Sequence, residues 1–369
     1  MDLQDPTAFS TSKIQGNYVF NFTGIGVDVF VGGRGSVLAM AGFWTMDGQG
    51  TISGEIDLND SASDMRSGGS GTVVRGSYRV SANGRGTAEI IAVGTIYTQT
   101  FAFYVVSANK LNYVETDAKP TVSGEVVTMA IGPFSAATFK GGYAFTFSQM
   151  GTGYDGHAAR YGGVLTADGN GHLLGRADQS GLFGPVLGNN NFLAGYYVDA
   201  TGRISTNING IYCDLFPAAD GSFELIETDF RGSGSGTLKA QVGAPFGTNS
   251  ISGNFASSTG TFNLPMLVPP GEEDITGQFM TDGAGHLGGA IDVNQGPAGI
   301  STGSPSLSLN VAISAGTYSL MRNGYGSATL STAIGSFKTQ LYQVDNNTVF
   351  LMSSDPSTCP LTPRQLRSG

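Results

Sequence analysis

The sequence predicts an all-β protein made of three tandem antiparallel units, each with about eight strands. A hairpin motif occurs three times along the chain. An internal repeat of this kind indicates a tandem architecture, so it is considered before the individual strands. Glycine accounts for 57 of the 369 residues, about twice the usual share, and alternates with Val, Ile, Phe and Tyr. No segment shows a convincing helical period, so short strands joined by tight turns are expected throughout.

The repeated motif is Asp-Gly-x-Gly, with a second aspartate ten residues after the first. Two alternating runs joined by Asp-Gly predict a β-hairpin, because glycine adopts the positive φ of a tight turn without strain. The aspartate pairs are Asp47 and Asp57, Asp168 and Asp178, and Asp282 and Asp292. The predicted turn glycines of this hairpin are Gly48, Gly50, Gly169, Gly171, Gly283 and Gly285.

Other strands recur around this hairpin. Each unit opens with an aromatic strand, which reads Tyr18-x-Phe20-x-Phe22 in the first unit and loses its aromatic alternation in the third, after Phe255. A second hairpin comes next, with predicted turn glycines at Gly84, Gly202 and Gly324. Two closing strands and, in the first two units, a last strand complete a count of about eight.

A meander of eight strands with one apolar face closes into an up-and-down barrel or splits into two packed sheets. We favour the barrel, of lipocalin-like or avidin-like architecture, over the β-sandwich because closure removes exposed strand edges. The inward Tyr and Phe side chains are expected to fill the interior of a barrel of this size.

The domain boundaries are set by similar connectors. Gly132-Pro133-Phe134 and Ala244-Pro245-Phe246 separate the units, and Asp5-Pro6 with Phe9 resembles them at the start of the chain. We divide the chain into a connector or arm (1–15), three β-repeats (16–130, 131–243 and 244–355) and a tail (356–369). Three prolines in the tail oppose strand pairing. The third unit is therefore expected to be open, modified or completed by something outside its own sequence.

Composition limits the function classes. The net charge is −10, from 28 acidic and 18 basic residues, which disfavours nucleic acid as a partner. The chain has no run of 18 apolar residues, so membrane insertion is not expected, and its first residues lack the features of a signal peptide. Sparse charge and abundant small polar residues favour an extracellular location. Cys213 and Cys359 could form one disulfide or remain two buried thiols.

The pattern G-x-Y-x-F-x-F, then D-G-x-G-x-I-x-G, then G-x-Y-x-V-x-x-x-G-R-G-T resembles uncharacterised tandem β-repeat proteins that are predicted to be secreted by bacteria. The resemblance covers residues 16 to about 355. The first repeat matches best, through Gly84-Arg85-Gly86-Thr87, whereas the others depart at Ile204 and Tyr325. It implies an exported surface or extracellular protein and supplies no catalytic residues.

Four sets of side chains are candidates for chemistry. The aspartate pairs could bind calcium; alternatively, the first aspartate shapes its turn and the second faces solvent. His172 and His286 occupy one turn position in two repeats, which favours a surface role over catalysis. Glu115 and Glu227, with the aspartates two residues later, could form a glycosidase-type pair or a solvated strand end. Exposed aromatic side chains could stack on sugars or instead belong to the core; these are Trp44, Tyr97, Tyr154 and Tyr161.

From these observations we expect a non-enzymatic extracellular structural protein without a cofactor. Its units would pack end to end, and copies of the chain would polymerise head to tail through exchange of a terminal strand or arm. Expected assembly contacts are Pro6, Phe9, Ile14 and Leu361. The alternative is a cell-surface module that binds a glycan or small ligand on the loops between hairpins.

Overall fold

The computed structural model confirms an all-β chain of three barrel units. The structure describes residues 2–28, 34–60, 71–93, 98–117, 121–151, 158–181, 184–229, 232–259, 273–295, 306–354 and 365–368. Within these ranges the strands are joined by turns and by a few 3-10 turns of three residues each.

The first barrel is an antiparallel meander in which each strand pairs with the next and the eighth pairs with the first. Its strands are β1 (Gln15–Asp28), β2 (Arg34–Asp47), β3 (Thr51–Asp60), β4 (Thr72–Val80), β5 (Arg85–Ala92), β6 (Thr98–Ser107), β7 (Lys110–Glu115) and β8 (Thr121–Thr128).

The second barrel repeats this order and is also closed. Its strands are β9 (Lys140–Gly151), β10 (Ala158–Asp168), β11 (His172–Gly181), β12 (Gly184–Val198), β13 (Ile204–Ile208), β14 (Ile211–Pro217), β15 (Ser222–Glu227) and β16 (Gly232–Ala240).

The third barrel has seven longer strands and a short eighth. These are β17 (Ser252–Thr259), β18 (Glu273–Asp282), β19 (Leu287–Gln295), β20 (Ser306–Leu320), β21 (Tyr325–Thr332), β22 (Gly335–Asp345), β23 (Thr348–Ser353) and β24 (Gln365–Ser368). Strand β24 pairs with both β17 and β23. It comes from the tail and has only four residues, so the third unit ends in a modified last strand, one of the three outcomes expected for it. The strand begins after Pro363, the last proline of the tail, where every residue again has an N–H to donate.

The chain divides into two compact units. One comprises residues 1–138, 149–155 and 195–237, and the other comprises residues 139–148, 156–194 and 238–369. The first unit contains the first barrel and part of the second; the other unit contains the rest of the second barrel and the third.

The predicted hairpins are confirmed by their backbone conformation. Gly48 and Gly50 connect β2 to β3 with φ of +75° and +108°, a region that glycine enters without steric cost. All nine predicted turn glycines have positive φ; the other seven are Gly84, Gly169, Gly171, Gly202, Gly283, Gly285 and Gly324.

Aromatic side chains fill the interior of the first barrel. Trp44 is fully buried, and its ring stacks on that of Phe20 with centroids 4.2 Å apart. Phe22 stacks on Tyr113 at 5.6 Å, and Tyr113 on Phe103 at 4.7 Å. Phe20 and Phe22 point inward from β1, as the sequence predicts, and Trp44 belongs to the core and not to a sugar-binding surface.

Each connector folds onto the barrel that comes after it. A Cβ atom at Gly84 would lie 2.6 Å from the Phe9 ring, and one at Gly202 would lie 2.9 Å from the Phe134 ring. Ile14 is fully buried in the core of the first barrel, and its carbonyl accepts a hydrogen bond from the Tyr78 hydroxyl. Residues 5–15 are thus part of the first barrel.

This placement bears on the expected assembly contacts. Phe9 and Ile14 pack within their own barrel, so exchange of this arm between copies would require both residues to leave it, and the arm exchange stays a prediction. Pro6 is exposed and begins a 3-10 turn. Leu361 lies outside the described residues.

Candidate functional site

The first aspartate of each motif shapes its turn. Asp47 Oδ1 accepts hydrogen bonds from the backbone N–H groups of Gln49 and Thr51, at 2.7 and 2.8 Å. Asp168 and Asp282 make the same two bonds to residues two and four positions later. These backbone donors stabilise the carboxylate and lower the pKa of Asp168 and of Asp282 to about 2. The turn-shaping interpretation accounts for this position.

The two histidines beside these turns lie on the surface. The Nδ1 atoms of His172 and His286 are 3.0 and 2.6 Å from the Oδ2 atoms of Asp168 and Asp282. Their side chains are 69% and 75% exposed. This placement agrees with a turn-flanking surface position.

The second aspartate of each motif is expected to face solvent, but the structure buries it in two of the three repeats. Asp57 and Asp178 are buried, at 1% and 0% exposure, whereas Asp292 is exposed. The expectation is therefore wrong for the first two repeats. In both, the outer face of the strand after the Asp-Gly turn is covered by residues of the next barrel.

In the first compact unit, Arg203 joins the second barrel to Asp57 of the first. Its Nη2 atom lies 3.0 Å from Asp57 Oδ1 and 3.4 Å from Glu55 Oε2. Its Nε atom is 3.9 Å from Asp214 Oδ2. The Arg203 side chain is 5% exposed, and the Asp57 and Asp214 side chains are 1% and 2% exposed, so the guanidinium is buried with two carboxylates while the third, on Glu55, is 31% exposed. We expect this cluster to favour one arrangement of the two surfaces, because a buried charge left without its partner is costly.

Burial controls the protonation of Asp57. Loss of hydration raises the pKa of Asp57 to about 8, the Arg203 charge opposes that rise, and the Asp214 carboxylate reinforces it. A single guanidinium does not neutralise three carboxylates, so the junction holds a proton on this group over part of the neutral pH range.

Apolar packing surrounds the charged cluster. Phe216 and Ile226 on the second barrel are fully buried, and so are Val19 and Ala41 on the first. They belong to one core cluster, which continues with Ala39, Met129 and Ala218. Polar contacts border it, since Asn59 Nδ2 donates to the carbonyls of Glu227 and Gly232, both at 2.8 Å.

In the other compact unit, the third barrel meets Asp178 of the second in an equivalent way. The Tyr342 hydroxyl donates to Asp178 Oδ2 at 3.0 Å, and the Arg176 guanidinium lies 3.7 Å from the centre of the Tyr325 ring. Tyr342 and Met352 are fully buried and pack with Val164.

Strand register shows that these contacts use equivalent positions. Tyr325 pairs with Tyr342, and Arg203 precedes Ile204, which pairs with Leu215 next to Phe216. We call this outer surface the docking face: Arg203, Phe216 and Ile226 in the second barrel, and Tyr325, Tyr342 and Met352 in the third. The surface that it covers is the receiving face: Val19, Ala41 and Asp57 in the first barrel, and Ala144, Gly162 and Asp178 in the second.

Two equivalent faces are left exposed. The docking face of the first barrel consists of Arg85, Tyr104 and Val114, and Arg85 pairs with Tyr104. Tyr104 is 48% exposed and Val114 is 37% exposed. The receiving face of the third barrel contains Asp292, Thr276 and Ala256, which are also exposed.

Sequence reasoning noted Arg203 as a possible ion-pair residue beside Glu227 and Asp229, but it missed the partners of Arg203 in the structure, which are Asp57, Glu55 and Asp214. In the first two repeats an arginine directly follows the turn glycine of the second hairpin, at Arg85 and at Arg203. Tyr325 takes this position in the third repeat. Two changes coincide between the first and the second junction. Tyr325 replaces Arg203 on the docking face, and Arg176 replaces Glu55 two residues before the second aspartate. This paired change is the sequence evidence that could have linked the two faces.

The glutamates expected at a solvated strand end are buried, which corrects that expectation. Glu115 is 4% exposed and Glu227 is fully buried. Gln99 Nε2 donates to Glu115 Oε1 at 3.2 Å, and Gln149 Nε2 donates to Glu227 Oε1 at 2.5 Å. Burial raises the pKa of Glu115 to about 7. Each glutamate is held inside its own barrel, because it points inward from the last residue of β7 or β15.

The remaining candidates are buried or lie outside the described residues. Trp44 and Tyr161 are buried and cannot stack on a sugar, while Tyr97 and Tyr154 lie outside the described ranges. Cys213 is a buried thiol; Cys359 is outside the described part of the chain, so their pairing stays a prediction. Among the described residues, no group of three or more His, Cys, Asp or Glu side chains is placed to hold a metal ion.

Comparison of the chain with protein-family models, curated proteins and solved structures found no match. The described ranges also contain no helix that is both long and apolar enough to cross a membrane. The docking and receiving faces are the best-defined candidate functional sites, because equivalent positions make contacts at two junctions.

Proposed function

We propose that this chain is an extracellular structural protein whose copies associate head to tail. The observation that carries the proposal is the repeated junction: the docking face is covered in the second and third barrels and exposed in the first. In the proposed contact, the docking face of the first barrel meets the receiving face of the third barrel of another copy. Heterologous contacts of this type build open assemblies.

Charge complementarity supports this choice of partner. At the first junction an arginine of the docking face meets the second aspartate of the receiving face, at 3.0 Å. The two exposed faces offer the same pair, Arg85 and Asp292. Tyr104 and Val114 supply an exposed apolar area next to Arg85, which gains from being covered.

The contact differs from the expected arm exchange. Phe9 and Ile14 pack in their own barrel, so association by surfaces requires no rearrangement of residues 5–15. The extracellular location rests on the low charge content and on the resemblance to secreted repeat proteins. Glycan binding on the loops stays an untested alternative.

The test is the oligomeric state of the full chain, measured by sedimentation velocity over a range of concentrations. The wild type is expected to associate as concentration rises. Arg85→Glu and Asp292→Arg should each weaken association by about tenfold, because each places like charges opposite one another. The combined variant should restore it. Arg79→Glu, at an exposed arginine of β4, is the matched control.

Two results would overturn the proposal. One is a wild-type chain that stays monomeric at every concentration. The other is association that Arg85→Glu and Arg79→Glu reduce equally, since that would reflect net charge and not a specific contact.

A further inference from the structure

The third barrel has a cavity in its interior that is separate from the junctions. Its volume is about 80 Å³. Most of its lining is aliphatic or aromatic, and the side chains that define it are Ile251, Ile275, Phe279, Ile291, Leu330 and Leu341. All six are buried.

The cavity exists because this repeat lacks aromatic side chains that fill the first barrel. Tyr18 pairs with Trp44 and Phe255 pairs with Phe279, so Ser257 stands where the first barrel has Phe20. In the same way, the pairing of β6 with β7 and of β22 with β23 places Thr339 at the position of Phe101 and Leu351 at that of Tyr113. Ser257, Thr339 and Leu351 all line the cavity.

The lining determines which molecules would fit. Thr339 Oγ1 already donates to the Met352 carbonyl at 2.9 Å, so this hydroxyl is satisfied by the protein. An apolar cavity of this kind offers water few partners and gains contacts from an apolar guest. Its size suits one aromatic ring or a short alkyl chain, comparable to the side chains that are missing.

We propose that the third barrel binds a small, uncharged, apolar molecule in its interior, whereas the first barrel is filled by its own side chains. The ligand would occupy the space next to Ser257 and Thr339. Binding would depend on dispersion contacts and on removal of apolar surface from water. This proposal is independent of head-to-tail association, because it rests on the barrel interior and not on the outer faces.

The experiment titrates the full chain with toluene and monitors the methyl resonances of Ile275, Ile291 and Leu330 by NMR. Saturable shifts are expected in the wild type. Ser257→Phe restores the side chain of the first barrel and should reduce the affinity by at least about tenfold, since the ring occupies the site. Ser319→Phe adds the same ring at an exposed position of β20 and should leave binding unchanged.

Thr339→Phe, the counterpart of Phe101, provides a second filling variant if Ser257→Phe does not fold. The absence of saturable shifts in the wild type up to the solubility limit of toluene would overturn the proposal. Equal binding by the wild type and by a folded filling variant would do the same, because toluene would then be bound outside the barrel interior.

Discussion

Replacement of Arg203 by Met tests the buried junction of the first compact unit most directly. Methionine keeps an apolar stem of similar length and removes the guanidinium. Asp57 and Asp214, which are 1% and 2% exposed, then lose their cation while remaining buried. Removing one partner of a buried ion pair costs about 3–5 kcal/mol. We expect a loss of this size in the stability of the contact above about pH 8, where Asp57 is ionised, and a smaller loss at lower pH.

Hydrogen exchange is the appropriate assay, because a chain with several barrels need not unfold in one step. The opening free energies of backbone amides in β3 and β14, which carry Asp57 and Asp214, should fall in Arg203→Met. Arg85→Met is the matched control. Arg85 occupies the equivalent position in the first barrel but is exposed in the single chain, so its replacement should change stability by no more than about 0.5 kcal/mol when exchange is measured below the concentration at which copies associate.

A second substitution sharpens the test. Asp57→Leu in the Arg203→Met background removes the stranded carboxylate and should recover part of the lost stability, since an apolar pair can replace a buried ion pair. If Arg203→Met costs no more than Arg85→Met, the ion cluster does not stabilise the junction and the reasoning fails.

Asp57, Gly84 and Trp44 support three further predictions. The pKa of Asp57 is raised from 3.8 to about 8, so the folded state holds an extra proton between these two pH values. The opening free energy of the β3 amides should therefore fall as pH rises from about 4 to 8, by up to about 1.4 kcal/mol per pH unit. Asp57→Asn should flatten that slope in hydrogen exchange measured at several pH values. Gly84→Val should lower the thermal unfolding temperature more than Gly221→Val does. Both glycines have positive φ, but only a Cβ atom at Gly84 would contact a ring, that of Phe9. Equal losses in the two variants would argue against the Phe9 contact. Trp44→Ala should cost about 3–5 kcal/mol in the exchange stability of the first barrel, and a loss below about 1 kcal/mol, of order one methylene group, would contradict the packed interior.

Much of the fold could be predicted because it depends on local chemistry. An Asp-Gly turn is specified by residues within four positions of one another, as the bonds from Asp47 to the amides of Gln49 and Thr51 illustrate. Alternation of aromatic and polar side chains along β1 likewise assigns Tyr18, Phe20 and Phe22 to the interior. Three repeats of one local pattern then give three similar meanders.

The end of the third barrel was harder to predict. Prolines at 356, 360 and 363 oppose strand pairing, yet Gln365–Ser368 pairs with two strands. A four-residue strand has too little alternation to be recognised by its pattern. Closure of the ring supplies the pairing partners on both sides, and these exist only once the other seven strands are in place.

The sequence by itself determined the strand order, the turns and the identity of the repeated aspartates. Only the tertiary structure decided what the second aspartate does. Asp57 and Arg203 are 146 residues apart, and no periodicity connects them. Whether a carboxylate on the outside of a barrel is solvated or buried depends on whether another barrel covers that face. Asp57 and Asp178 are covered, and Asp292 is exposed, although all three occupy the same position in the repeat.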